Sequence, residues 1–355
     1  MNVLFISRDY KAKCDGGTVV VQRNLSLLEH IASKVSVLTI PSPSIATRVK
    51  NILFKESYGN TKVLSLLLKW HLRQDYDLVF FDSSLYGRYL KLFADKGFKI
   101  CCFYHNVEFK YYHDKYLKTK KIQDKIMISY IKYNESLSTQ YSTYRITLND
   151  RDSKDLFRFY GRKADFILPT SFEPLSMESL KNRIDSRISP YILFVGSNFF
   201  ANVEGLDFLF DKVAPYVNCD IKIVGNVCDA FQNRKLPSNI ILEGRVDDLL
   251  PYYVNAMCVV APIFSGSGLK TKTVEAIKYG KYIIGTSESF EGIDSVYHSQ
   301  MGKLCSTAEE FIDAINNCST EKINKEVLNL FNNLYSNDAQ EQRLRDFMIA
   351  KHIIV

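Results

Sequence analysis

A glycine-rich loop that leads into a helix carries the strongest chemical signal in the sequence. It reads Ser265-Gly-Ser-Gly-Leu-Lys-Thr-Lys-Thr-Val-Glu-Ala-Ile277 and follows a predicted strand. Glycines allow a backbone to approach a ligand closely, and the N–H groups at the start of a helix attract anions. Lys270 and Lys272 add two positive charges, and Glu275 lies on the same helical face as Lys272.

These residue types suit a nucleoside diphosphate. The N–H groups and the lysines would hold the phosphates, and the Glu275 carboxylate would accept hydrogen bonds from ribose hydroxyls. A capped helix with an ion pair between Lys272 and Glu275 is the structural alternative, and such a pair stabilises a helix by only about 0.2–0.5 kcal/mol. An ion pair alone does not explain the two glycines, so we predict an anion-binding site here.

Two motifs in the first half of the chain also follow predicted strands. They are Gly16-Gly17 and Tyr104-His-Asn-Val-Glu108. Ligands of doubly wound sheets bind beyond the carboxyl ends of the strands, so His105 and Glu108 are candidate catalytic residues. Two alternatives stay open: a structural role for His105, and a role for Glu108 in capping a helix or pairing with Lys110. The glycine pair is not the G-x-G-x-x-G fingerprint of a dinucleotide site.

Asp75 and Asp77 form an Asp-x-Asp pair, a pattern that can hold a divalent metal ion. They come directly before an apolar run at residues 78–81, where a polar turn into a buried strand is expected. We interpret the pair as that turn and predict no metal and no resident cofactor.

The elements that must position these residues alternate between strands and helices in two series. Buried strands are predicted at residues 3–6, 34–40, 77–81, 99–104, 145–148 and 165–168, and in a second series at 191–195, 219–224, 239–242, 258–261 and 282–285. Strand–helix–strand units imply parallel sheets. The prediction is an α/β protein of two doubly wound domains: residues 1–170, a linker at 171–189, residues 190–335, and a helix at 336–355 that crosses back.

Several segments occur in an order and spacing typical of one enzyme family. They are residues 266–293, 194–205 and 243–249, together with the two N-terminal motifs. The chain resembles the bacterial glycosyltransferases of family 4, which have the GT-B fold of two Rossmann-like domains facing a cleft. Many members carry two glutamates separated by seven residues. The first falls at Ser267 here, as in a subgroup with a Gly-Ser-Gly loop, which leaves open the group that contacts the transferred sugar.

The resemblance implies a retaining hexosyltransferase. It would move a sugar from a nucleoside-diphosphate sugar to a glycan or lipid-linked glycan in cell-surface polysaccharide biosynthesis, without a metal, and His105 would contact the donor sugar near the reacting carbon. A nucleotide-sugar epimerase of the same fold and a non-catalytic nucleotide-sugar-binding protein are the alternatives. The implied donor-binding residues are Gly16, Gly17, Gly196, Ser197, Asn198, Asn202, Val246, Gly266, Ser267, Gly268, Leu269, Lys270, Thr271, Lys272 and Glu275.

Composition and charge bear on location and partners. The 355 residues are 46% apolar and 24% charged, as in a globular protein, and the eight cysteines have no regular spacing, which favours free thiols in the cytoplasm. Up to Thr170 there are 28 basic and 16 acidic residues, against 18 and 23 afterwards. This asymmetry indicates an anionic partner. Lysines and aromatic residues alternate over residues 109–132, and residues 63–70 form a second basic apolar patch. We predict peripheral contact with the inner face of the membrane and no nucleic-acid binding.

Overall fold

The computed structural model describes residues 1–9, 16–265 and 271–354, without the side chain of Lys118. Within them the chain divides into two compact units. The first comprises Met1–Pro169 with Gln340–Val355, and the second comprises Thr170–Ala339.

The first unit is built on a six-stranded parallel sheet with helices between the strands. Its strands are β1 (Asn2–Arg8), β2 (Lys34–Ile40), β3 (Leu78–Phe81), β4 (Ile100–Tyr104), β5 (Tyr144–Thr147) and β6 (Phe166–Ile167). Its helices are α1 (Gly16–Ile31), α2 (Ile45–Leu53), α3 (Lys62–His71), α4 (Gly87–Ala94), α5 (Glu108–Thr119), α6 (Ile122–Tyr141) and α7 (Asp150–Tyr160). The strand order is β2-β1-β3-β4-β5-β6, so the order reverses between β1 and β3.

Burial on both faces explains the apolar strands of this sheet. Every residue of β3 and of β4 is buried, as expected where helices cover both faces of a parallel sheet. The rings of Phe5, Phe80 and Phe103 form a ladder across β1, β3 and β4, with centroids 5.5 and 6.4 Å apart. These rings pack against one another on one face of the sheet, near the carboxyl ends of β3 and β4.

The basic segment at residues 109–132 forms two helices and not one. Lys120 has a φ of 54°, the left-handed conformation that ends α5, and α6 begins at Ile122. Two of its lysines pair with nearby acids: Lys110 Nζ lies 2.7 Å from Asp114, and Lys115 Nζ lies 2.9 Å from Asp124. The segment therefore presents less free positive charge than its composition indicates.

The second unit has a second parallel sheet of six strands. The strands are β7 (Tyr191–Val195), β8 (Asp220–Val224), β9 (Ile240–Gly244), β10 (Cys258–Ala261), β11 (Tyr282–Gly285) and β12 (Gly302–Leu304). The helices are α8 (Met177–Lys181), α9 (Phe200–Phe208), α10 (Leu250–Asn255), α11 (Thr271–Lys278), α12 (His298–Met301), α13 (Ala308–Asn316) and α14 (Lys325–Leu334). The order β9-β8-β7-β10-β11-β12 is that of dinucleotide-binding sheets, with its reversal between β7 and β10.

The last helix, α15, spans Asn337–Ala350, and its residues from Gln340 onward belong to the first unit. Its Phe347 ring stacks on Phe166 with centroids 4.7 Å apart. Residues 171–189 lie in the second unit and contain α8.

The predicted class, two doubly wound α/β domains, is confirmed. Strands at 34–40, 191–195, 258–261 and 282–285 have the predicted bounds. The short strand β12 was not predicted, because two of its three residues are exposed and give no apolar run. In the described ranges the seven cysteines are free, and no helix there has the length and apolar character that crossing a bilayer requires.

Candidate functional site

The carboxyl end of the second sheet gathers most of the predicted donor-binding residues. Loops that leave neighbouring strands on opposite sides of a reversal point open a crevice between them. Gly196 follows β7 directly, and the glycine-rich loop follows β10 and leads into α11. Five predicted residues of that loop, Gly266, Ser267, Gly268, Leu269 and Lys270, lie outside the described residues.

Close backbone contacts explain two glycines around this crevice. A Cβ atom on Gly225 would lie 2.1 Å from the Gly196 carbonyl oxygen, and Gly225 has a φ of +114°. A Cβ atom on Gly205, in α9, would lie 2.1 Å from the Pro262 carbonyl oxygen. These contacts place the residues directly after β8 and β10 against those that follow β7.

Lys272 is held in a defined position in the first turn of α11. Its Nζ donates to Asn202 Oδ1 at 2.5 Å and lies 4.6 Å from the centroid of the Phe194 ring. Asn202 is buried and donates in turn to the Ser197 carbonyl oxygen at 2.8 Å. The structure thus brings Lys272 to Asn202, 70 residues earlier in the sequence, and through it to Ser197, and sets an ammonium group beside the N-terminus of a helix.

Glu275 lies one turn further along α11. The Tyr253 hydroxyl donates to Glu275 Oε2 at 3.2 Å, and burial raises the pKa of the carboxyl group. Tyr253 itself is fully buried and stacks on Tyr279 with centroids 4.4 Å apart. This support from Tyr253 was not predicted, because nothing in the local sequence pairs residues 253 and 275.

The remaining predicted residues of the second unit lie at the same end of the sheet. Asn198 is exposed, and its backbone N–H donates to Asn226 Oδ1 at 2.9 Å. Thr271 is the first residue of α11 and is half-buried. Val246 follows β9, the edge strand, and β7 and β8 lie between β9 and β10.

A second polar cluster lies at the carboxyl ends of β3 and β4 in the first unit. His105 Nε2 lies 2.9 Å from Asp82 Oδ2 and 3.1 Å from the Asp82 carbonyl oxygen. Asn24 Nδ2 donates to Asp82 Oδ1 at 2.6 Å, so both carboxylate oxygens of this buried residue are engaged. The His105 ring packs edge-on against Phe103, with centroids 4.9 Å apart. His105 is therefore held by a carboxylate and not left as an isolated ring.

Arg23 places a buried cation in the same cluster. Its guanidinium donates to the Pro169 carbonyl oxygen at 2.6 Å and lies 5.9 Å from the Phe103 ring. Burial lowers its pKa to about 9, while the charge of Asp82 acts in the opposite direction. Gly16 and Gly17 form the start of α1, the helix that carries Arg23. Sequence reasoning missed Arg23, Asn24 and Asp82. The only available signal was the position of Asp82 directly after the apolar run of β3.

Glu108 is the first residue of α5, and the pKa of its carboxyl group is raised. Burial raises the pKa of its carboxyl group to about 7, with the Glu135 charge adding to the effect and His105 opposing it. Among the described contacts, Glu108 neither pairs with Lys110 nor caps a helix. Lys110 pairs with Asp114, and a different residue caps α5.

The residue that caps α5 is Glu135. This fully buried carboxylate accepts hydrogen bonds from the backbone N–H groups of Glu108 and Phe109 at 2.9 and 3.0 Å. It also accepts from the hydroxyls of Ser84 and Tyr160 at 2.9 and 2.8 Å. Glu135 therefore fixes the start of α5 beside His105, a positioning role that the sequence analysis did not identify.

We expect the stability of the protein to depend on pH through Glu108. A carboxyl group whose pKa is higher in the folded state binds more protons there, so unfolding becomes easier as the pH rises from about 4.5 to 7. Glu108→Gln should remove this loss and stabilise the protein at pH 8 by about 3 kcal/mol relative to its effect at pH 4.5. Urea unfolding at the two pH values measures the difference. An equal effect at both would contradict the shifted pKa.

Asp75 and Asp77 lie just before β3, at the amino-terminal edge of the first sheet. Asp77 Oδ2 accepts a hydrogen bond from the backbone N–H of Asn2 at 2.6 Å, which joins the turn to β1. Nowhere in the described ranges are three His, Cys, Asp or Glu side chains grouped so as to hold a metal ion.

Comparison with known proteins identifies the second unit. Residues 189–321 match the glycosyl transferases group 1 family. A Klebsiella pneumoniae protein, described as an uncharacterized 44.6 kDa protein in the cps region, is 28% identical over 125 residues, which are 31% of this chain and 32% of that protein. The match thus spans about a third of the Klebsiella protein.

The whole chain is similar in fold to solved glycosyltransferases. One is the lipopolysaccharide outer core galactosyltransferase WaaB, with a TM-score of 0.63 at 14% identity over 99% of this chain and 100% of that chain. Another is HepE of Anabaena in complex with UDP, with a TM-score of 0.64 at 12% identity and the same coverage. The predicted resemblance is confirmed for the fold and for the family of the second unit. Residues 189–321 match the glycosyl transferases group 1 family, and the whole chain has the GT-B fold of these solved structures.

Proposed function

We propose that the protein is a retaining glycosyltransferase that uses a nucleoside-diphosphate sugar as donor. The observation that carries the proposal is the position of Lys272, bound to Asn202 in the first turn of α11 at the reversal point of a Rossmann-type sheet. This is where an anionic ligand of such a sheet binds. UDP-sugars are the first donors to test, since HepE binds UDP in its structure.

In this proposal the second unit stabilises the leaving group. The bond between the anomeric carbon and the diphosphate oxygen breaks, and the nucleoside diphosphate leaves with the electron pair. The acceptor hydroxyl oxygen bonds to the same carbon from the same face, and its proton passes to the leaving phosphate oxygen. Lys270, Lys272 and the N–H groups at the start of α11 offset the charge that develops on the phosphates. The Glu275 carboxylate, supported by Tyr253, accepts hydrogen bonds from the ribose. No step requires a metal ion.

We propose that His105 contacts the sugar of the donor. The Asp82 carboxylate 2.9 Å from Nε2 orients the imidazole. With Nε2 directed at Asp82, the other ring nitrogen is left for the substrate. Glu108, with a pKa raised to about 7 by burial, can hold or release a proton near neutral pH in the same region.

For the acceptor we propose a glycan or a lipid-linked glycan used in cell-surface polysaccharide biosynthesis. Two names support this: the Klebsiella relative is encoded in the cps region, and WaaB acts on the lipopolysaccharide outer core. An acceptor of this kind places the enzyme in the cytoplasm, at the inner face of the membrane.

Nucleotide binding and turnover test the proposal on the full chain. We expect UDP or another nucleoside diphosphate to raise the melting temperature, because a ligand at a hundred times its Kd adds about 2.7 kcal/mol of stability. Incubation with the matching nucleotide sugar and a polysaccharide-precursor acceptor should release the nucleotide. If the protein binds the nucleotide sugar but releases no nucleotide with any acceptor tested, a non-catalytic binding protein is favoured. Interconversion of free nucleotide sugars would favour an epimerase. No stabilisation by any nucleotide would overturn the donor assignment.

A further inference from the structure

Helix α3 has apolar side chains on two opposite faces. Leu64, Leu68 and His71 are buried, and the two leucines belong to the core of the first unit. The other face exposes Val63, Leu66, Leu67 and Trp70 at helical spacing, with Leu66 66% and Trp70 55% exposed. A helix needs one apolar face to pack on its own domain. The second face of α3 is therefore left for another partner.

Helix α2 contributes almost nothing to the core. Its one buried side chain is that of Asn51. Ile45, Val49 and Leu53 recur every four residues and form an exposed apolar stripe that Phe54 continues, with Ile45 83% and Leu53 72% exposed. Most helical stability in proteins comes from packing such a stripe. The stripe of α2 is uncovered in the isolated chain.

Positive charge surrounds these two stripes. The exposed basic residues of residues 45–73 are Arg48, Lys50, Lys55, Lys62, Lys69 and Arg73. One acidic residue, Glu56, occurs in this span, and it is paired with Arg88 at 3.0 Å. Residues 45–73 thus combine two exposed apolar stripes with six exposed basic residues and a single, paired acidic one; we call the exposed faces of the two helices the α2–α3 surface.

We propose that this α2–α3 surface docks on an anionic lipid bilayer, with both helices lying in the headgroup region. Helices that lie in a bilayer interface combine an apolar face with Lys and Arg beside it, and tryptophan is enriched at that depth. The cores of protein–protein interfaces are instead depleted in lysine. The charge border selects anionic over neutral lipid.

The tip between α5 and α6 extends the same surface. Leu117, Ile122 and Ile126 are exposed there. One contact links α6 to the end of α2: Lys55 Nζ, two residues beyond α2, lies 5.4 Å from the Tyr133 ring of α6. We therefore place the basic segment at 109–132 at an edge of the proposed docking surface, with α2–α3 at its centre.

Trp70 provides the test, because it is the one tryptophan of the chain. We expect vesicles containing phosphatidylglycerol to shift its emission to shorter wavelength and to sediment the full-length protein, and neutral phosphatidylcholine vesicles to do neither. Quenchers placed at shallow depth in the acyl chains should act more strongly than deep ones, since interfacial helices lie about 5–10 Å into the boundary. Binding should weaken between 0.1 and 1 M salt, as the Debye length falls from about 10 to 3 Å.

Matched variants separate charge from apolar contact. Lys50→Gln, Lys62→Gln and Lys69→Gln together should lower partitioning about a hundredfold, since each lysine near an anionic surface is worth about 1 kcal/mol. The control changes Lys212, Lys235 and Lys325, exposed lysines of the second unit, to Gln and should leave partitioning unchanged. Leu53→Ser with Leu66→Ser should lower it at least about tenfold. Val296→Ser, at a residue 65% exposed in the second unit, is the apolar control.

Three results would overturn the proposal: no sedimentation with anionic vesicles at low salt, equal binding to neutral vesicles, or unchanged binding in the lysine and leucine variants. A Trp70 shift that follows protein concentration without lipid, together with a dimer in solution, would assign the surface to a second copy of the chain and would also overturn it. Vesicle binding needs no turnover, so this test stands whether or not the proposed transfer reaction is found.

Discussion

Replacing Lys272 by Ala should lower the turnover of the nucleotide sugar about a hundredfold or more, with the protein still folded. The Nζ group is held by Asn202 and by the face of the Phe194 ring, so its position is set before the ligand binds. A positive charge fixed beside a departing diphosphate acts most strongly in the transition state, where one such contact is worth about 2.7–4 kcal/mol. Steady-state release of the nucleotide measures the loss.

Two further variants decide whether the effect is specific. Lys325→Ala removes an exposed lysine of the same unit, at the start of α14, and should leave turnover unchanged. Asn202→Ala keeps the ammonium group but releases it from its acceptor, and should cost less than Lys272→Ala. If Lys272→Ala turns over donor as fast as the wild type, the donor site does not lie at α11.

Replacing His105 by Ala should nearly abolish transfer and leave nucleotide affinity unchanged. Asp82→Asn should lower kcat about tenfold, because a neutral amide holds the imidazole less firmly than the carboxylate 2.9 Å away. Turnover and titration calorimetry with the nucleotide measure the two effects separately. His30→Ala, at an exposed histidine of the same unit, is the control.

A double-mutant cycle distinguishes a positioning role of Asp82 from a merely structural one. If Asp82 acts through His105, adding Asp82→Asn to His105→Ala should lower turnover no further. Additive losses would show that Asp82 acts independently. Loss of nucleotide affinity in a folded His105→Ala variant would remove His105 from the sugar end of the donor.

The two parallel sheets could be predicted from the sequence alone, and the same sequence pointed to the glycine-rich segment as a candidate site. Strands buried on both faces, such as Tyr191–Val195 and Cys258–Ala261, are uninterrupted apolar runs, and such runs are visible without tertiary information. The loop that ends at Thr271 was recognisable because glycines, lysines and a helix start lie within a few residues. The signal of each of these features is local, so a linear reading finds it.

Only the tertiary structure decided which polar groups meet. Asp82 contacts Asn24, 58 residues away, and His105, 23 residues away, because the parallel topology brings the ends of β3 and β4 together beside α1. Glu135 reaches the start of α5 across 27 residues because α6 packs against α5. No local period encodes such contacts.

The exposed faces of α2 and α3 are a further feature that the sequence alone does not reveal. Their apolar spacing is that of any helix packed on a core, and the sequence does not state which stripe is covered. Leu64 and Leu68 take the place on the core of the first unit, which leaves Leu66 and Trp70 outside. The core of the first unit covers only part of the apolar surface of these helices. Which face it covers is known only from the folded chain, and the uncovered faces form the candidate membrane surface.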